Sequence, residues 1–108
     1  MIRPLVFSLC AIFFAAGAFA QDKAQGEKIF VDQKCSLCHS VAGKGNAKGP
    51  LDDVGTKLSA ADIRAWLVDA NGMTTKTGAT RKPAMKQYTL SKEDVDSLVA
   101  YLTTLKKK

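Results

Sequence analysis

The chain has little from which to build a metal cage, a sheet or a nucleic-acid surface. It contains one histidine, His39, and three cysteines, of which Cys10 stands far from Cys35 and Cys38. A zinc site built on Cys35 and Cys38 needs a second ligand pair, and none is present. No stretch alternates apolar and polar residues over a useful length, so a sheet is not expected. There is no internal repeat and no low-complexity tract. Lysines and aromatics do not interleave, and aromatics make up only 7% of the chain, which argues against nucleic acid. The apolar run from Leu5 to Ala16 is too short and too soon ended to span a membrane.

That run has another use. Arg3 precedes it and Ala18-Phe19-Ala20 follows it, the layout of a secretory signal with a small-x-small cleavage site. Residues 1–20 are therefore expected to be a signal peptide and 21–108 a single domain with no membrane anchor after cleavage. Cys10 should leave with the signal. Losing Arg3 from the 16 basic side chains leaves a net charge of about +5 against the 10 acidic ones. A domain of about 88 residues buries a limited core, so a large apolar cofactor would supply much of its interior.

Cys35-Ser36-Leu37-Cys38-His39 points to such a cofactor. Two cysteines three apart with histidine directly after the second have the spacing of c-type haem attachment. On a helical turn the two thiols share a face and meet one porphyrin edge, while His39 turns toward the iron. A disulfide between them would close a loop too short to stabilise much and leaves His39 unexplained. A thioredoxin-type pair needs a βαβ context, which is missing.

Three helices are expected. Asp22 and Gln25 have capping-box spacing ahead of a segment to about Gln33, with Gly26, Ile29 and Phe30 on one side. Ser59 and Asp62 open a second, carrying Ile63, Trp66, Leu67 and Ala70, which Asn71-Gly72 ends. Ser91 and Asp94 open the last, with Val95, Leu98, Val99, Leu102 and Leu105 as its stripe and Lys106 to Lys108 closing it. Between them, 42–57 and 73–90 read as loops, and a loop as long as the second tends to be functional.

Over nearly its whole mature length the chain resembles a small monohaem class I cytochrome c. The matches are Gly26 and Phe30, the Cys35-Ser36-Leu37-Cys38-His39 motif, Gly49-Pro50-Leu51, Met85, and Leu98 with Tyr101. The resemblance implies an all-α fold of three main helices and long loops wrapped around one haem c, covalently bound through Cys35 and Cys38. It implies that Gly26 and Phe30 meet Leu98 and Tyr101 where the first and last helices cross. His39 becomes the proximal ligand, its other ring nitrogen hydrogen-bonded to the carbonyl of Pro50. The opposite ligand becomes a methionine, Met85 in preference to Met73, which follows a helix end too closely to reach across. Lys86 departs from the family, where proline commonly follows this methionine. Trp66 and Tyr88 are candidates for a haem propionate.

The implied function is soluble periplasmic electron transfer, one electron at a time, by a monomer that is not an enzyme. Its partners are larger redox proteins with acidic docking surfaces, which Lys44, Lys48, Lys82 and Lys86 would face. The competing readings are a ligand-binding or peroxidase-like haem protein with an open iron position, and a subunit of a larger oxidoreductase.

Overall fold

The computed structural model describes residues 15–107; the expected signal falls largely on residues outside these. Five helices and one minimal hairpin make up the fold: α1 (Ala15–Asp32), β1 (Ser40–Val41), β2 (Lys44–Gly45), α2 (Val54–Lys57), α3 (Ala60–Val68), α4 (Ala70–Thr77) and α5 (Lys92–Leu102). A single 3₁₀ turn, Cys35–Leu37, joins α1 to the hairpin. No helix among the described residues is long and apolar enough to cross a membrane.

The core is the crossing of α1 and α5, to which α3 adds Ile63 and Leu67. Ile29 and Phe30 from α1 meet Val95, Leu98, Val99, Tyr101 and Leu102 from α5. The rings of Phe30 and Tyr101 pack edge to face, 5.9 Å apart at 65°. Gly26 permits this approach. A Cβ there would lie 2.7 Å from the Tyr101 Cβ and nearer still to the Ser97 carbonyl oxygen. The Ser97 carbonyl is main chain that cannot swing aside. Tyr101 is buried, because the missing side chain at Gly26 lets α1 come down onto it.

The helix starts show where local chemistry wins and where context does. Ser59 caps α3 and Ser91 caps α5, each hydroxyl accepting the backbone N–H three residues on. Asp22 caps nothing, since α1 runs through it from Ala15; the alanine-rich stretch before it favours helix and carries the element upstream. Asn71-Gly72 does not end a helix either. α3 stops at Val68, and Asp69 accepts the Gly72 N–H and starts α4, so that Met73 to Thr77, expected as loop, is helical. A side chain at Gly72 would meet the capping carboxylate of Asp69, which would have to shift to admit it. Gly78, at φ 68°, closes α4 in the left-handed conformation glycine adopts freely. At the other end, α5 stops at Leu102, so Lys106 and Lys107 lie beyond its last turn. Their segment docks back instead, with Gly55 N–H donating to the Leu105 carbonyl and Lys107 N–H to the Asp53 carboxylate.

Candidate functional site

Lys34 leaves α1 at φ 60°, a left-handed turn that redirects the chain into Cys35–Leu37. The N–H groups of Cys38 and His39 both return to the Cys35 carbonyl, at 3.1 and 3.0 Å. Cys35, Cys38 and His39 thus come to line one cavity of about 270 Å³. Most of its remaining wall is apolar, drawn from Phe30, Leu51, Ile63, Leu67, Leu98 and Leu102 among others. Neither thiol is in a disulfide. Burial pushes the Cys35 thiol above its ordinary pKa, so it is held protonated at neutral pH.

The hairpin and the strand-like segment after it hold the histidine. Ser40 bridges in parallel to Pro50, its N–H reaching the Gly49 carbonyl at 3.1 Å while Leu51 N–H reaches the Ser40 carbonyl at 2.8 Å. The Gly49 carbonyl also faces His39 Nδ1 at 3.0 Å. The acceptor is therefore Gly49, where the resemblance implied Pro50. Successive carbonyls of an extended chain point to opposite sides, and the bridge to Ser40 turns that of Gly49 toward the ring. Because Nδ1 faces a carbonyl it carries the proton, which leaves Nε2 with a free lone pair. Burial lowers the His39 pKa, partly offset by the Gly49 bond and reinforced by the nearby charge of Arg81. The imidazole is neutral at pH 7 and fit to coordinate a metal.

Asn46 secures this arrangement, and nothing in the sequence marked it. Its N–H is shared between the Ser36 and His39 carbonyls, both at 3.1 Å, and its side-chain amide donates to the Leu37 carbonyl at 3.1 Å. Only the folded loop brings it to the motif. Gly45, at φ 109°, lies so close to the His39 carbonyl that no side chain fits.

From the long loop, Met85 lines the same cavity. Met73 does not: it is buried on α4. Trp66, half-buried on α3, is in the wall. Tyr88 lies outside it, in a separate recess beside Leu67, Val68 and Val95, with the Lys86 ammonium 5.3 Å from its ring centroid. Gln87 explains the difference: its amide donates to the Val68 carbonyl at 2.8 Å and accepts from Asn71 N–H at 3.1 Å, drawing the chain after Met85 onto the α3–α4 junction. Lys44, Lys48, Lys82 and Lys86 are exposed and none lines the cavity, whereas Arg81, not anticipated from the sequence, does.

Two half-buried thiols, an imidazole with its lone pair prepared and a thioether, all on one largely apolar cavity, fit a haem. The cavity accepts an apolar macrocycle, the thiols are the groups that add to its vinyl substituents, and nitrogen and sulfur suit its iron. The comparisons with known proteins agree. The chain is 31% identical over 91 residues to cytochrome c oxidase subunit 2 of Alkalihalophilus pseudofirmus, a match covering 76% of this chain but spanning only about a quarter of that relative's length. No solved structure matches. A family model described as cytochrome c matches residues 23–106, from the start of the α1 core stripe to the docked C-terminal segment. The chain belongs to the cytochrome c family, whose members carry covalently attached haem c and transfer electrons.

Proposed function

We propose that this protein is a one-electron carrier in which Cys35 and Cys38 would hold the haem and His39 and Met85 would supply nitrogen and sulfur to its iron. The observation that carries the reading is the presence of Met85 on the same cavity as Cys35, Cys38 and His39, with Met73 elsewhere. When bound, the haem iron supplies reversible one-electron oxidation and reduction. His39 presents Nε2 in a fixed orientation because Gly49 holds Nδ1–H, and that bond raises ligand basicity. The Met85 thioether favours reduced iron and raises the potential. With His39 and Met85 both holding the iron, the protein would rearrange little on electron transfer and would leave no position for substrate. For that reason we assign no catalytic activity, and protein partners rather than small molecules.

Residues 1–20 supply the export signal on this reading, placing the domain in the periplasm as a monomer. The net positive charge raises encounter rates with acidic partners at low ionic strength. A second reading, an electron-transfer module working within a larger oxidoreductase, is favoured by the likeness to one quarter of an oxidase subunit.

The test is the visible spectrum of the haem-loaded protein with and without carbon monoxide. A six-coordinate reduced form that binds carbon monoxide weakly is expected; strong binding overturns the axial assignment. Met85→Ala is expected to keep covalent haem, lose the iron–sulfur absorption and lower the midpoint potential. The same losses on Met73→Ala would transfer the role to that residue.

A further inference from the structure

Arg81 is the one permanently charged side chain among the described residues that line the cavity. It belongs to the loop between α4 and α5, four residues before Met85, yet it reaches the wall that holds the histidine. A Cβ built on Gly49 would collide with Arg81 Nη1 and with the Cys38 carbonyl oxygen, and would lie 3.0 Å from the guanidinium carbon. Gly49 is also the residue whose carbonyl binds His39 Nδ1. The guanidinium therefore packs on the backbone that fixes His39, and its charge reaches the imidazole.

Among the described residues no carboxylate is paired with this charge. The ion pairs found among the described residues belong to Arg64 and Lys92 with Asp96, and no carboxylate lines the cavity. Arg81 is exposed to solvent overall, and its field is screened less than in water only on the side where the guanidinium borders the apolar wall. Lys82, the next residue, is exposed as Arg81 is but lies outside the wall, so the same charge one position on does not border the cavity.

We propose that Arg81 is a positioning residue that sets the reduction potential, its guanidinium raising the midpoint by opposing the extra positive charge of oxidised iron. This rests on the haem-carrier reading above. Packing against Gly49 puts the guanidinium on the histidine side of the cavity, and no carboxylate among the described lining residues stands beside it.

The test is a spectroelectrochemical midpoint titration of the full haem-loaded chain. In Arg81→Gln and Arg81→Met the reduced-to-oxidised ratio at the wild-type midpoint should fall about threefold, which at 59 mV per decade is about 28 mV. Arg81→Lys, which restores a cation, should recover more than half of that shift. Lys82→Gln makes the same change in net charge and should move the midpoint less than half as far. An unchanged midpoint in the neutral variants overturns the proposal. So does an equal shift in Lys82→Gln, or an Arg81→Lys shift as large as that of Arg81→Gln. Failure of both neutral variants to retain haem would make Arg81 a structural residue and overturns it too. Failure of the underlying reading shows separately, as a wild-type protein with no covalent haem or no reversible one-electron transition.

Discussion

Gly26 is a residue at which two opposing magnitudes can be compared. In an exposed helix, replacing glycine with alanine gains about 1 kcal/mol of helix propensity. Here the added methyl meets the Ser97 carbonyl and the Tyr101 Cβ across the α1–α5 crossing. Overpacking a core against backbone costs about 1–3 kcal/mol, and both groups belong to α5, which shifts only as a rigid unit. Gly26→Ala is expected to lower stability by about 1 kcal/mol net, or roughly 4–8 °C in Tm for a domain of this size. Thermal unfolding followed by circular dichroism measures it, and a rise in Tm would show that the crossing yields. Gly49 and Gly45 are constrained in a similar way, by the Cys38 and His39 carbonyls, so the haem motif is surrounded by backbone that admits no side chain.

At the scale of elements, the loop bearing Met85 is tied down by few bonds. Gln87 supplies two of them, to the carbonyl ending α3 and an N–H beginning α4. Both backbone groups have no partner within their own helices, and both bonds are exposed, so each contributes at the lower end of about 0.5–1.5 kcal/mol. Gln87→Leu is expected to loosen the loop by about 1 kcal/mol in all, and imidazole added to the oxidised protein should bind about fivefold tighter as Met85 yields. An unchanged imidazole affinity would mean that the loop is held elsewhere.

α3 and α5 are joined at the surface through Asp96, which pairs with Lys92 at 2.8 Å and with Arg64. These two cations, Lys92 first, hold the Asp96 carboxyl below its ordinary pKa. A depressed carboxyl stabilises the fold above its unfolded value, near 3.9, and loses that contribution as pH falls through the folded value. Asp96→Asn should therefore lower Tm at pH 7 at low salt, with the difference shrinking at 1 M salt and vanishing in strong acid. A Tm difference that persists in acid would assign the effect to packing instead.

For the whole molecule, the question is what remains without the cofactor. The cavity of about 270 Å³ lies between α1, α3, α5 and the Met85 loop. Without the cofactor its apolar wall, Phe30, Leu51, Ile63, Leu67, Leu98 and Leu102 among others, faces water, and a domain this small has little other core to offset that exposure. Cys35→Ser combined with Cys38→Ser is expected to abolish covalent haem and leave a chain largely unfolded at 25 °C. Far-ultraviolet circular dichroism and denaturant titration check this; a cooperative transition with native helix content would show that the core stands alone.

Much of this protein was legible locally. The cysteine and histidine spacing, the serine caps of α3 and α5 and the apolar stripe of α5 each depend on residues within one or two turns, so a linear pattern records them. The family's long-range contact, Gly26 and Phe30 against Leu98 and Tyr101, was legible only through resemblance. Other features depend on residues far apart in the chain. The exchange of Pro50 for Gly49 behind His39 follows from which carbonyl the Ser40 bridge turns inward. The placing of Tyr88 in the recess beside Leu67 and Val95 follows from where Gln87 finds its partners, and the break at Asp69 from a side chain that caps sooner than Asn71-Gly72 can terminate. Asn46 and Arg81 carry no pattern at all, since an asparagine in a glycine-rich loop and an arginine in a basic one are ordinary until folding sets them beside His39. By itself the sequence determined that the attachment motif of the family is present, because that chemistry needs specific atoms at fixed spacing. Only the tertiary structure decided which backbone and which charge surround those groups, because the carbonyl and the guanidinium act through space.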